Sequence, residues 1–380
     1  MLRKIVAVTA AATALLGTGA TTAAADIVQP STDTTAMAQS IGAAFAGNTV
    51  GFAFVIAKNG QYAAGGAGGK ARTGPDGNVN MATTTRIEIA SATKNITAAA
   101  VLKLLEANGL NPDTPIRAYW PTSFKLTAHL SWNNVTFRHL LTHTSGLEQM
   151  EQNLTAAESA NWTTLYSGLQ FAVTKQISAP SPGLYSNMNY AMLRILIPAL
   201  WRLADPGRGV PLVNSTNSGT WALAYVNENL LAPAGIATAA CVPANPASAA
   251  LAYDANNTGA GGYQFQLTGS NGEACAGHRG LHLSAMDLTR WQAHLAHGSV
   301  VSATVRAQMD AGKLGWRGGS NSGANLGIFF HDGDLSVGQQ LHTCHAKFPG
   351  GIEASAVINS QNLAGVRVCT VLINAFKAAS

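Results

Sequence analysis

Segments that read as strands flank a helical middle in this chain and do not interleave with it. Near the start, "GFAFVIAKNGQYAAGGAGG" (51–69) places two short apolar runs around Asn59-Gly60, a dipeptide that favours a tight hairpin turn. Near the end, "LGIFFHDG", "EASAVINS" and "VRVCTVLINAF" read as further strands. Between them, from about 113 to 235, helical segments alternate with Pro, Gly and Asn breaks. The arrangement predicts a mixed α/β (α+β) fold. One antiparallel sheet is built from both chain ends and flanked by helices, with a mostly helical lobe inserted at about 113–285. With 47% apolar residues, the chain has enough material for a large core, expected as a single domain over 38–380.

The N-terminus carries a different message. Arg3 and Lys4 precede an apolar run from Ile5 to Leu16 and a small-residue stretch ending Ala23-Ala24-Ala25. That pattern predicts a cleavable secretory signal over 1–25, followed by a polar linker at 26–37. The run is shorter than the roughly 20 apolar residues a membrane span needs, and no later segment reaches that length. Cleavage removes two of the 23 basic residues, so the formal charge falls from +5 to +3 on 355 residues. With 11% charged residues and no basic block, nucleic acid is not an expected partner. An exported chain, secreted or periplasmic, permits disulfides. Cys241, Cys275, Cys344 and Cys369 allow three pairings, and the Gly- and Asn-rich stretch between the first two favours Cys241–Cys275.

The stretch "RIEIASATKNITAAAVLKLLEANG" (86–109) holds the chemistry. Ser91 stands where a buried helix begins, a position that suits a serine cap. Three residues on, where a capping box and the helix dipole would favour an acid, the chain has Lys94. Residues three apart share a helix face, so the two side chains can meet. Burial and the dipole both lower the pKa of such a lysine, and a neutral amine beside a hydroxyl makes a nucleophile. The competing explanation is a surface lysine whose stem lies along an ordinary helix start.

Other stretches favour the chemical explanation. They are "FRHLLTHTSGL" (137–147), "PGLYSNMNY" (182–190), "GHRGLHLSAMDLTRW" (277–291), "LGW" (314–316) and "CHAKFPGGIEASAVINS" (344–360). With "IASATK" and the hairpin, their order over residues 40–376 resembles the serine β-lactamase and penicillin-binding-protein superfamily, in its class C β-lactamase, DD-peptidase and esterase branch. The resemblance implies Ser91 as the acylated nucleophile, Lys94 as its base and Tyr185 as the proton shuttle. It implies Asn187 as an amide orienting substrate and lysine, and His345 beside substrate on an edge strand. The backbone N–H groups of Ser91 and Phe348 would form the oxyanion hole. The third motif of the family is Lys or His, a small residue, then Gly. Aligned at His345-Ala346-Lys347 the chain departs from it, and Lys347 would add a cation able to bind a substrate carboxylate.

His143 in "THTSG" is expected to hold a turn. Neither His139 with His143 nor His342-x-Cys344-His345 completes a zinc pattern, and no metal or other cofactor is expected. The absence of a G-x-S-x-G elbow argues against an α/β-hydrolase. The expected activity is that of an exported serine hydrolase acting through an acyl-enzyme on an ester, amide or β-lactam carbonyl of a small-molecule or peptide substrate. The alternative is a non-catalytic ligand-binding protein on the same scaffold, with Lys347 anchoring an anion.

Overall fold

The computed structural model describes residues 32–254, 256, 259–360, 363 and 365–380. The expected signal at 1–25 and residues 26–31 of the expected linker lie outside the described residues. From residue 34 onward the linker expectation fails, because the chain forms helix α1 (Thr34–Phe45). The Asp33 carboxylate caps it, accepting the N–H groups of Thr35 and Ala36 at 2.9 and 3.1 Å. Met37, Ile41 and Phe45, spaced four apart, are its buried stripe.

The strands follow as β1 (Gly51–Lys58), β2 (Gln61–Arg72), β3 (Val79–Asn80), β4 (Ile87–Glu88), β5 (Tyr253–Asp254), β6 (His282–Leu283), β7 (Gly318–Gly319), β8 (Phe329–Ser336), β9 (Gln339–Phe348) and β10 (Ile352–Ile358). The main sheet runs β3-β2-β1-β10-β9-β8-β7, with β5 paired to β9 off that path. Its centre is the antiparallel pair β1–β10, in which Phe54 stands opposite Ala356, so the two chain ends meet there as expected. β4 and β6 form a separate short ribbon.

The sheet is covered on both faces, which explains why β1 is apolar at nearly every position. Phe52, Phe54 and Ile56 join Met37, Ile41 and Phe45 of α1 in one core, while Ala53 and Val55 enter the larger core on the opposite face. Alternate residues of a strand face opposite sides, so β9 divides likewise. Cys344, Ala346 and Phe348 join the first core and Leu341 the second. The larger core contains helix α2 (Thr93–Ala107), α3 (Asn187–Ala204) and α4 (Ala285–His297). Twelve of the 15 residues of α2 are buried, as befits a helix apolar on all sides. The helix α4 opens on a capping box between Ser284 and Asp287. Helix α5 (Ala303–Gly312) follows it.

The last expected strand, "VRVCTVLINAF", is instead helix α6 (Val368–Ala379). Its β-branched residues suggest a strand, but Val368, Cys369, Val371, Leu372, Ala375 and Phe376 are buried at helical spacing. That stripe packs against α1 and the sheet. Two disulfides close the structure, Cys241–Cys275 as expected and Cys344–Cys369, which ties β9 to α6 across 25 residues. Closing a loop of that length restricts the unfolded chain by an amount worth about 3 kcal/mol. The double variant Cys344→Ala/Cys369→Ala is expected to lose roughly that much in urea unfolding with a somewhat larger m-value; unchanged stability would show that the crosslink does not restrict the unfolded chain.

Candidate active site

Ser91 does not cap the helix. It lies in a 3₁₀ turn, Ala90–Ala92, and α2 starts at Thr93 without a side-chain cap. Ala90 adopts φ 50°, a left-handed conformation that is uncommon for a residue with a Cβ. The serine oxygen is therefore free for other partners, and it has two. Lys94 Nζ lies 2.9 Å from Ser91 Oγ, and Tyr185 Oη donates to the same oxygen at 2.8 Å. Lys94 also donates to the His278 carbonyl oxygen at 2.8 Å.

Lys94 is fully buried. Burial holds its amine well below the usual lysine range; Asp332 opposes the shift, and Arg317 and Arg279 add to it. Tyr185 moves the other way. Burial pushes its phenol up to about 12, although the Ser91 hydrogen bond and Arg317 pull it down. Of the two groups touching Ser91, the phenol thus stays protonated at neutral pH, and the amine is the one able to accept a proton. The Arg317 guanidinium lies 4.4 Å from the Tyr185 ring centroid, with its side chain 42% exposed.

His143, expected to hold its own turn, also packs against this group. Its ring is 4.5 Å from that of Tyr185, and its Nδ1 accepts the Ser186 N–H at 3.3 Å and faces Asn189 Nδ2 at 3.2 Å. Burial first, with the Arg317 charge adding to it, pushes the ring down to about 3 and keeps it neutral. Asn187 opens α3 after the Ser186 cap and is exposed. It lines a cavity of about 290 Å³ together with Tyr185, Trp162, Glu148 and Glu151. The hydrogen-bond partners of Lys94 are Ser91 and His278, so the lysine-orienting part of the Asn187 expectation fails.

The third motif lies one strand away from its expected place. β9 is flanked by β8 and β10, so His345 is not on an edge. The imidazole is fully buried, paired through Nδ1 with Gln292, and burial pushes it down to about 3. Lys347 forms an ion pair with Asp310 of α5 and lies over the rings of Trp316 and Phe329, none of which touches Ser91. Phe348 faces the opposite side of the sheet, its ring stacked 4.6 Å from that of Phe376 in α6. These three expectations are overturned for one reason: residues 345–348 belong to an interior strand, its side chains packed and its backbone flanked by strands β8 and β10.

The stretch beside the Ser91 turn is His331-Asp332-Gly333 on β8. It fits the pattern of a histidine and, two residues later, glycine, with aspartate between. A Cβ at position 333 would collide with the Ile89 carbonyl oxygen, so the absent side chain is what lets β8 approach the Ser91 turn. Thr343 Oγ1 donates to that same carbonyl at 2.9 Å. His331 is buried, and burial holds its imidazole well below the usual histidine range. The partner strand β7 pairs only with Phe329 and Phe330, and the Arg317 N–H donates to the Phe330 carbonyl at 3.0 Å. Backbone direction alternates along a strand, so the Asp332 and Asp334 N–H groups point, like those of Phe330, away from β9. His331 and Gly333 were legible in "LGIFFHDG"; the signal was the glycine in third place.

A serine, a buried amine and a phenol within hydrogen-bond reach on this fold define a class, the serine hydrolases of β-lactamase and transpeptidase architecture. Residues 25–375 match the Beta-lactamase family, and the chain belongs to it. Among curated proteins it is similar to Protein flp of Staphylococcus aureus (strain MRSA252), 32% identical over 126 residues. That match takes in 32% of this chain and only 24% of the relative's length. Among solved structures, a D-amino acid amidase from Ochrobactrum anthropi SV3 aligns with TM-score 0.63 at 16% identity, over 91% of this chain and 98% of that one. An octameric penicillin-binding protein homologue from Pyrococcus abyssi aligns with TM-score 0.63 at 20% identity, over 91% and 77%.

The burial of Lys94 carries a thermodynamic signature. Its folded-state pKa lies below its unfolded value, so between the two the unfolded chain binds the extra proton and stability rises with pH. From pH 7.5 to 10 the wild type is expected to gain stability in denaturant titrations relative to Lys94→Met, which has no amine to titrate. Parallel curves would mean that the amine is charged in the fold.

Proposed function

We propose that the protein is an exported serine hydrolase that works through an acyl-enzyme on Ser91. The observation that carries this reading is the hydrogen-bonded group Tyr185–Ser91–Lys94, in which burial frees the amine and keeps the phenol protonated. As Ser91 Oγ attacks a carbonyl carbon, its proton passes to Lys94 Nζ, and the carbonyl π electrons move onto oxygen. In this reading the backbone N–H groups of Ser91 and of Asp334, the residue after Gly333 on β8, receive that oxyanion. Collapse expels the leaving group, which takes its proton from Tyr185 while the phenol is replenished from Lys94. Water then attacks the ester by the reverse proton path and releases the acid.

The substrate class is an ester, amide or β-lactam carbonyl, and the likeness to an enzyme named as a D-amino acid amidase supports including D-configured amides. The Arg317 guanidinium beside Tyr185 suits a carboxylate on the substrate. Export is supported by the N-terminal sequence and by two disulfides, which suit an oxidising compartment. Among the described residues no helix is long and apolar enough to cross a membrane. The rival reading, a non-catalytic binder anchored by Lys347, loses its anchor because that lysine is spent on Asp310.

A fluorescent penicillin and a fluorophosphonate, each beside p-nitrophenyl ester turnover, test the proposal. The wild type is expected to label and turn over, and Ser91→Ala to do neither. Lys94→Arg, which cannot give up a proton, is expected to lower acylation about 10²–10⁴-fold with the fold intact. Labelling that survives in Ser91→Ala would remove that serine as nucleophile.

A further inference from the structure

Behind Lys94 lies a buried ion pair that the mechanism above does not use. Glu88, three residues before Ser91, is fully buried on β4. Arg279 Nε stands 3.3 Å from its Oε1, and neither carboxylate oxygen receives a well-aligned hydrogen bond. The arginine follows His278, whose carbonyl oxygen accepts Lys94 Nζ at 2.8 Å. The same segment is fastened at both ends to the nucleophile's surroundings. Thr97 Oγ1 of α2 donates to the Gly277 carbonyl at 2.7 Å, and the Ile89 N–H donates to the Leu281 carbonyl at 2.9 Å. An unpaired buried charge is far more costly than a paired one, so Glu88 and Arg279 hold one another in place.

We propose that Glu88 and Arg279 are positioning residues, a buried ionic clamp that sets the His278 carbonyl against Lys94 and makes acylation depend on the charge state of Glu88. The inference rests on the acyl-enzyme reading above. The charged partner of Glu88 is Arg279, and the other titratable groups of the packed elements stand around this pair. Arg279 and His278 come from the clamped segment, Lys94 from α2, and His282 stands opposite on β6, its ring between the Ala240 and Phe265 carbonyls. Arg194 of α3 acts on His278 from behind. Arg86 turns away to Asp287 at 3.0 Å. Burial raises the Glu88 carboxyl to about 7, against the pull of Arg279 and of the Gly280 N–H. Near neutral pH the clamp therefore loses its negative half. Arg279 is left without its counter-charge, and the segment that presents the His278 carbonyl is released.

The sign of the stability effect is opposite to that of activity. A carboxyl whose folded pKa is raised binds its proton more tightly in the fold, so its contribution to stability falls as pH rises from about 4.5 to 7. The test is Glu88→Gln, which keeps shape and removes the charge, studied beside the wild type and Arg279→Lys from pH 5 to 8.5. Acylation by a fluorescent penicillin and the thermal midpoint are both measured. In the wild type acylation is expected to rise about 10-fold through pH 7, while its midpoint falls relative to that of Glu88→Gln, the buried histidines titrating alike in both. Glu88→Gln is expected to flatten the acylation curve, to lose the Glu88 share of the midpoint slope and to lower kcat about 3–10-fold at pH 8 with KM within twofold. Arg279→Lys, which keeps the charge, is expected to retain the pH-dependence that Glu88→Gln abolishes. An unaltered midpoint slope in Glu88→Gln, or wild-type acylation in that variant at pH 8, overturns the clamp. A wild type that never acylates, with a midpoint slope that Glu88→Gln removes, overturns the hydrolase reading and the positioning role with it, and leaves only the ion pair.

Discussion

The desolvation of one amine organises this molecule. Lys94 on a solvated peptide would hold its proton and contribute nothing to Ser91. Inside the core, surrounded by α2, α3, β8 and the 277–281 segment, the charged form loses its hydration and the neutral form prevails. The surrounding residues serve that outcome. α2 is apolar on all sides, so its first turn lies deep in the protein. Gly333 lacks the side chain that would keep β8 from closing on the site. The Tyr185 ring, its centroid 4.9 Å from Lys94 Nζ and tilted against that of His143, covers the amine on another side.

Much of this was legible in the sequence, because it depended on short-range rules. A serine and a lysine three apart on an apolar helix must share a face, and no tertiary information is needed to place them together. Tyr185 entered through the resemblance alone, since nothing local reveals that a loop 94 residues away meets Ser91. The sheet, built from both ends of the chain, followed from where the strand patterns fell.

The misplaced third motif has a specific geometric cause. His331 and His345 are direct cross-strand partners in the antiparallel ladder between β8 and β9. Both belong to triplets that begin with histidine, and both side chains point to the same face of the sheet. Sequence reading reached the right height and chose the wrong strand. What separates them is pairing: one strand has neighbours on both sides and the other is open beyond Phe330. The terminal helix was missed for a related reason. Its β-branched residues favour a strand when viewed singly, and only the docking of Val371, Leu372 and Phe376 against the sheet resolves the period. Glu88 and Arg279 could not be paired from sequence, since 191 positions separate them and neither of the quoted stretches that contain them points to the other.

The bond between Cys241 and Cys275 links chemistry to the cell's redox state. Cys275 lies three residues before His278, so the crosslink anchors the very segment whose carbonyl grips the amine. With the export proposed above, oxidation of these two thiols would also complete the surroundings of Ser91 and Lys94. A chain still reduced would present the His278 carbonyl, and with it the amine, on a slacker segment.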